Sequence, residues 1–128
     1  MTAVPEQLAV KRVYLPPQAS DGTRILVDRL WPRGLAREKA RIDLWARDIA
    51  PSDALRKRFH AKPEAWADFR SAYFTELRSA TAQAAAKDLL ERLKAGPVTL
   101  LYAARNETRN NAVALREWLR TAADEVIE

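Results

Sequence analysis

The chain has no cysteine and a single histidine among its 128 residues. The absence of cysteine excludes disulfides, thiolate metal sites and cysteine nucleophiles. His60, the one histidine, falls in a turn between two predicted helices, and no group of His, Asp and Glu residues shows the spacing of a metal site. Dinucleotide-binding glycine motifs, P-loops and nucleophile-elbow motifs are missing as well. We therefore expect neither a metal nor a cofactor.

Long apolar runs are also lacking. No stretch approaches the roughly 20 residues that span a bilayer, and the opening residues MTAVPEQLAV do not show the basic and then apolar regions of a signal peptide. We expect a cytoplasmic protein without a membrane partner. No repeat or linker divides the chain, so we expect a flexible lead-in over residues 1–8 and one domain over residues 9–128. The oligomeric state stays open.

The chain is basic, with a net charge of +5 and a pI of about 9.9. Such an excess of positive charge is compatible with a polyanionic partner, since cations that neutralise phosphates release bound counterions. Its cations are scattered among acidic residues, however, and arginine outnumbers lysine 16 to 6, a bias that a GC-rich genome also produces. Nucleic acid is therefore an alternative partner and not the favoured one.

Apolar patterns predict strands that alternate with helices. Residues 9–14, 24–28 and 98–102 are predicted strands, and the last two are apolar enough to be buried on both faces. Residues 42–49 alternate as a strand would, although Trp45 leaves a helix possible. Helices are predicted at 36–41, from the cap Ser52 through residue 59, from Pro63 to about residue 77, at 82–94 and from about residue 109.

This alternation indicates the α/β class: a small two-layer or three-layer domain with a mostly parallel sheet and four to five helices. In such folds ligands bind just beyond the carboxyl ends of the strands. The residues that follow the predicted strands are therefore the first place to look for a functional site.

Two of the strands end in polar, arginine-containing segments. If they are parallel neighbours, six polar side chains meet at one edge of the sheet: Asp28, Arg29, Arg33, Tyr102, Arg105 and Asn106. The N-terminus of the last helix, near Asn110, would direct backbone N–H groups to the same place. Gly34 allows close backbone approach next to Arg33, and Trp31 lies beside them. Arginine forks, helix N–H groups and an aromatic side chain favour recognition of phosphate or carboxylate.

Individual side chains in this set have alternative explanations. Asp28 is the candidate general base, since burial would raise its pKa, but it could equally pair with a neighbouring arginine. Tyr102 could donate a hydrogen bond or a proton. Trp31 is either a packing residue or a stacking surface. Arg29 and Arg33 are harder to explain structurally, because that role would need acidic partners at the same corner.

Three functions are compatible with these residues. The favoured one is a small-molecule binder or enzyme whose anionic ligand is clamped by Arg29, Arg33 and Arg105; whether it catalyses a reaction stays open. The second is a nucleic-acid or nucleotide-binding module with Trp31 and Trp45 as stacking faces. The third is a regulatory interaction domain that holds an acidic segment of a partner.

Several runs of the chain resemble one known family. They are KRVY at 11–14, LVDRLWPRG at 26–34, DLW at 43–45, APS at 50–52 and TLLYAA at 99–104. Together they resemble the YeaO-like branch of the domain of unknown function 488 (DUF488) family over roughly residues 10–120. The resemblance implies a small bacterial α/β domain and no known activity.

The chain departs from other branches of that family at its predicted site. Those branches carry a cysteine after the last strand and a Cys-His-Arg run at the start of the following helix. Here the corresponding regions are Tyr102-Ala103 and Arg109-Asn110-Asn111. Thiol chemistry implied for such relatives therefore does not extend to this chain, whereas anion recognition by its arginines does.

Overall fold

Four parallel strands in the order β1-β4-β2-β3 form the centre of the fold. The structure is a computed structural model that describes residues 8–127, and the side chains of residues 8–121. The strands are β1 (Leu8–Arg12), β2 (Thr23–Leu26), β3 (Leu44–Trp45) and β4 (Val98–Tyr102). Five helices accompany them: α1 (Arg37–Ala40), α2 (Asp53–Ala61), α3 (Trp66–Glu76), α4 (Ala80–Ala95) and α5 (Asn111–Ile127). The predicted α/β class and parallel sheet are confirmed.

The central strand β4 is buried along its whole length, because β1 and β2 pair with it on either side. Side chains of β1, β2 and β4 alternate between the two faces of the sheet. On one face Ile25, Val27 and Leu100 pack with the apolar sides of α2–α5 in the main core. On the other, Leu26 and Leu101 pack in a smaller cluster with residues from the segment between β2 and β3. Helices α2–α5 therefore cover one face, and the segment between β2 and β3, which includes the short α1, covers the other.

The region after α1 is not the regular strand that alternation predicted for residues 42–49. Only Leu44–Trp45 pair with β2, and a 3₁₀ turn follows at Arg47–Ile49. Ile42 packs in the smaller cluster, whereas Leu44 packs against the main core, so side chains two residues apart do not share a face. The strand prediction was right for two residues at the sheet edge and wrong for the rest.

Helix boundaries differ from the predictions by three residues at most. Helix α3 begins at Trp66, since Pro63 lies in a turn that precedes it, and α5 begins at Asn111. Residues 1–7 of the predicted lead-in lie outside the described residues, and Leu8 already belongs to β1. None of the helices within residues 8–127 combines the length and the apolar character required to cross a membrane.

A buried ion network lies on the face of the sheet opposite to α2–α5. Asp21 and Arg24 are only 6% and 4% exposed, and Arg24 Nη1 lies 2.5 Å from Asp21 Oδ2. Lys11 Nζ donates to the same carboxylate at 3.0 Å. Arg24 also donates to the carbonyl of Ala40, and Thr99 Oγ1 donates to the carbonyl of Asp21 at 2.7 Å. The network thereby fixes α1 and the turn before β2 to the sheet.

Two serines cap helices, and only one of them has a further partner. Ser79 Oγ accepts from the Ala82 N–H at 3.2 Å at the start of α4. Ser52 Oγ accepts from the Leu55 N–H at 3.1 Å and also donates to Glu76 Oε2 at 2.6 Å. The Ser52 cap therefore also joins α2 to the end of α3.

We expect Ser79→Ala to lower the free energy of unfolding by about 1 kcal/mol, the usual value of an N-cap. Ser52→Ala should cost roughly 2 kcal/mol, because Glu76 also loses a hydrogen-bond partner. Urea denaturation followed by far-UV circular dichroism measures both. Equal losses in the two variants would show that the bond to Glu76 adds nothing to stability.

Candidate functional site

An open cleft of about 1090 Å³ lies beyond the carboxyl ends of β1, β2 and β4. Residues from the segments after these strands, from α2 and from the start of α5 line it. Its cationic side chains are Arg12, Arg29, Arg33, Arg56, Arg105 and Arg109, and His60 lines it as well. Among the lining residues the one carboxylate is Asp28. The walls of the cleft therefore carry a strong excess of positive charge.

The two arginine-bearing segments meet because β2 and β4 are neighbours, with Leu26 paired to Leu101. Seven of the nine predicted site residues line the cleft: Asp28, Arg29, Trp31, Arg33, Arg105, Asn106 and Asn110. Tyr102 and Gly34 are not among the lining residues. Tyr102 is buried beneath the edge of the sheet, and Gly34 lies in the loop that follows Arg33 with a positive φ of 76°.

Asp28 connects three elements at the floor of the cleft. Its Oδ2 accepts from the Ala103 N–H at 2.9 Å, and its Oδ1 accepts from Asn111 Nδ2 at 3.0 Å. Its carbonyl oxygen accepts from Trp45 Nε1 at 2.7 Å. Burial raises the pKa of Asp28 above its ordinary value, although the hydrogen bonds from Asn111 and Ala103 favour the ionised form. Both carboxylate oxygens therefore already have partners.

Asp28 does not form the ion pair with an arginine that the sequence left open. Its side-chain partners are an amide N–H and an asparagine side chain. The neighbouring Arg29 contacts the segment before α2 instead. Its Nε donates to the Pro51 carbonyl at 2.9 Å, and its Nη2 donates to the Ala50 carbonyl at 3.2 Å. We expected a structural arginine here to need acidic partners, which was wrong because backbone carbonyls satisfy Arg29.

Three other arginines of the cleft have guanidinium groups without a partner in residues 8–121. Arg33, Arg105 and Arg109 are exposed and line the cleft. Within residues 8–121 none of their guanidinium groups has a hydrogen bond or an ion pair. The backbone of Arg33 is nevertheless held, because Tyr14 Oη donates to its carbonyl at 2.8 Å. The cleft thus holds three cationic groups with no partner in the described part of the chain.

Trp31 and Trp45 do not present free faces for base stacking. Their rings contact each other edge to face, with centroids 5.5 Å apart. The guanidinium of Arg37 lies 4.5 Å from the Trp31 ring centroid, and that of Arg47 lies 4.6 Å from the Trp45 centroid. Trp31 Nε1 also donates to the Leu35 carbonyl at 2.7 Å. The two tryptophans pack the smaller core cluster.

The predicted polar residues after β4 shape the backbone. Asn106 Oδ1 accepts from the Arg109 N–H at 2.9 Å and closes the turn that presents the loop. Asn110 Oδ1 accepts from the Val113 N–H at 3.0 Å and caps α5. Burial raises the pKa of Tyr102, and Arg12 and a hydrogen bond with Asn110 only partly oppose it. The start of α5, with its positive dipole end, faces the cleft.

Three arginines and the histidine of the cleft were not predicted as site residues. Arg12 ends β1 and Arg109 lies in the loop after β4, so the strand-end rule applied to both could have found them. Arg56 and His60 lie four residues apart in α2, and no sequence signal shows which edge of the sheet that helix faces. The prediction that His60 lies in a turn is wrong, because His60 belongs to the last turn of α2. Arg56 Nε is buried and lacks a hydrogen-bond partner within the described residues.

Within residues 8–121 no group of three His, Asp or Glu side chains could hold a metal ion. The cationic side chains of the cleft suit an anion instead, because guanidinium groups recognise phosphate and carboxylate through paired hydrogen bonds. The chemistry that the cleft offers is therefore charge recognition.

Comparison with known proteins identifies relatives over nearly the whole chain. A family model described as "Inactive DUF488-N3 subclade" matches residues 7–127. The chain is 48% identical over 111 residues to "Uncharacterized protein YeaO" of Escherichia coli (strain K12), which covers 87% of this chain and 95% of the relative. It is 38% identical over 113 residues to an uncharacterized protein of Mycobacterium tuberculosis (strain ATCC 25618 / H37Rv), with 88% and 93% covered. No solved structure matches the chain significantly. The chain therefore belongs to the DUF488 family, in its YeaO-like branch.

Proposed function

We propose that the protein binds a ligand with phosphate or carboxylate groups in the cleft and does not convert it chemically. The observation that carries this proposal is the set of three guanidinium groups, on Arg33, Arg105 and Arg109, that line the cleft without a partner in residues 8–121. A cation held beside other cations raises the electrostatic energy of the free protein, and an anion relieves that repulsion. The arrangement therefore favours occupation by negative charge.

The backbone around these arginines is ordered before a ligand arrives. The Asn106 side chain closes the turn that carries Arg105 and Arg109, and the bond from Tyr14 holds the carbonyl of Arg33. Binding then has to restrict only the long side chains, at roughly 0.5–1.5 kcal/mol each. A charge-assisted hydrogen bond contributes about 1.5–3 kcal/mol in return, which exceeds that cost.

Two observations support binding without turnover. Tyr102, the candidate proton donor, does not line the cleft. The carboxylate of Asp28, the candidate general base, serves as the hydrogen-bond acceptor that fixes the Ala103 N–H and Asn111 Nδ2, which is a structural role. The matching family model is itself described as inactive. Recognition of an anion requires neither group.

We expect pyrophosphate, citrate or adenosine diphosphate to raise the melting temperature of the protein, since a ligand of the native state stabilises it by mass action. Arg33→Gln, Arg105→Gln and Arg109→Gln should each weaken binding about tenfold, the equivalent of one charge-assisted hydrogen bond. The triple variant should lose binding. Thermal shift identifies the ligand, and titration calorimetry measures its affinity.

A matched triple variant, Arg58→Gln with Arg78→Gln and Lys87→Gln, controls for net charge. These side chains are exposed and none of them lines the cleft. It should change the affinity less than about twofold, since exposed charges that do not line the cleft contribute little after screening by solvent and salt. The proposal is wrong if no anion stabilises the protein, or if the two triple variants bind alike.

A further inference from the structure

We propose that the ligand of the cleft is an extended acidic segment of a protein partner, anchored by a bulky apolar side chain on an adjacent apolar rim. This inference rests on the proposed function, because it assigns the anionic groups to a polypeptide. The apolar rim consists of Tyr14, Leu15 and Leu30. Recognition of a small anion does not require these apolar side chains.

The rim contains the large hydrophobic side chains that are exposed in the described part of the chain. Tyr14 is 39% exposed, Leu15 is 48% exposed and Leu30 is 54% exposed. Tyr14 and Leu30 line the cleft itself, and Leu15 follows Tyr14 in the chain. Single exposed hydrophobics are ordinary, whereas their concentration at one site is typical of an interaction surface.

Polar contacts hold this rim in place. Tyr14 Oη donates to the carbonyl of Arg33, which ties the segment after β1 to the segment after β2. The guanidinium of Arg12 lies 4.8 Å from the centroid of the Tyr14 ring, and its Nε donates to the Ala104 carbonyl at 3.1 Å. The Leu15 N–H donates to the carbonyl of Arg12 at 3.1 Å. A partner therefore meets a preorganised surface, which lowers the entropic cost of docking.

The dimensions and the charges of the cleft indicate a ligand with several separated anionic groups. A volume of about 1090 Å³ exceeds the roughly 300–1000 Å³ of typical small-molecule pockets. The arginines without a partner in the described residues come from two loops. Arg33 lies in the segment after β2, and Arg105 and Arg109 lie in the segment after β4. Acidic side chains spaced along an extended segment match cations from two loops better than a single phosphate does.

The tryptophans favour a polypeptide over a polynucleotide. A single strand of nucleic acid is held by bases stacked on open aromatic faces, but Trp31 contacts Trp45 and Arg37. The exposed side chains beside the cleft are instead two leucines and a tyrosine whose hydroxyl is hydrogen-bonded. Leucine side chains match an apolar residue of a partner better than they match a base.

Fluorescence anisotropy with two labelled peptides tests the inference. Both are short sequences of glutamate, aspartate and serine, and one carries a central leucine where the other has serine. The leucine peptide should bind about tenfold more tightly, because its side chain buries apolar surface on the rim. In the Leu15→Ser/Leu30→Ser variant this difference should vanish, while the affinity for pyrophosphate stays unchanged. Both residues are exposed, so the variant should fold.

The outcomes separate the two proposals. Equal affinity of the two peptides, or binding of pyrophosphate and of neither peptide, overturns the acidic-segment inference and leaves anion binding standing. Preferential binding of single-stranded oligonucleotides, with a steep salt dependence, overturns it in favour of nucleic acid. If the Arg33→Gln/Arg105→Gln/Arg109→Gln variant keeps its affinity for both peptide and pyrophosphate, the proposed function fails as well.

Discussion

Asp21→Ala is expected to lower the free energy of unfolding by about 3–5 kcal/mol, the usual cost of removing one partner from a buried ion pair. Arg24 would remain 4% exposed with its main anionic partner gone, and Lys11 would lose the same carboxylate. For a domain of this length the loss corresponds to a melting temperature lower by roughly 10–20 °C. Differential scanning calorimetry measures both quantities.

Asp53 offers a matched control, because it also lies between two cations. It is paired with Arg56 at 2.6 Å and with Lys57 at 3.2 Å, but on the exposed surface of α2. Exposed ion pairs contribute little after screening by solvent, so Asp53→Ala should leave the melting temperature almost unchanged. Equal effects of the two substitutions would contradict a special role for burial at Asp21.

The stabilisation that Asp21 provides should decrease as the pH falls. Burial alone would raise its pKa, but hydrogen bonds from the Gln18 N–H, Lys11 and Arg24 outweigh burial and hold the pKa below the ordinary value of 3.8. Its ionised form therefore stabilises the fold above pH 3.8, and that contribution is lost as the pH falls through the lowered pKa. The stability difference between the wild type and Asp21→Asn should shrink on acidification below about pH 4.

The second large loss of stability is expected when Asp28 is substituted. Asp28→Leu removes the acceptor of the Ala103 N–H and of Asn111 Nδ2 while filling most of the space with apolar atoms. The Ala103 N–H would be left without an acceptor, at a cost of about 1–3 kcal/mol, and Asn111 Nδ2 would keep only its bond to the Val27 carbonyl. Relief from burying a charge offsets part of the loss. We expect a net loss of roughly 2–4 kcal/mol in urea denaturation at pH 7. Asp48→Leu, at an exposed site, should change stability far less.

Asp28 should show the opposite pH dependence to Asp21. Its pKa is raised above 3.8, chiefly by burial. The part of its contribution to stability that depends on protonation is therefore fully present below pH 3.8 and is lost as the pH rises through the raised pKa, whereas the hydrogen bonds to Ala103 and Asn111 persist. The cost of Asp28→Leu should fall over that window, whereas the cost of Asp21→Asn rises with pH. Parallel pH profiles for the two variants would disprove the different environments of the two carboxylates.

The strands that place the site could be predicted because they are buried on both faces. Continuous apolar runs at residues 25–27 and 98–102 are typical of strands in the interior of a sheet. A parallel arrangement of the two strands brings Asp28 next to Ala103. The short β3 could not be predicted in this way. Its pairing depends on two backbone bonds, from the Asp43 N–H to the Arg24 carbonyl and from the Ala46 N–H to the Leu26 carbonyl, which side-chain patterns do not encode.

Roles of individual site residues were harder to predict than their positions. The partners of Arg29 are carbonyls of Ala50 and Pro51, more than twenty residues away, and every residue carries such an acceptor. Arg56 and His60 line the cleft only because α2 packs over that edge. The packing angle of a helix follows from its side-chain contacts with neighbours, so no local pattern shows it.

The position of β4 has a consequence for how the chain folds during synthesis. β4 lies between β1 and β2, yet it is the last strand to be made, after all but one of the helices. Until residues 98–102 leave the ribosome, neither β1 nor β2 can form its pairing with β4, and the apolar run at 25–27 stays unpaired on that side. Parallel pairing across such a sequence distance is slow and exposes aggregation-prone strands. The nascent chain therefore completes its sheet, and with it the cleft, in one late step.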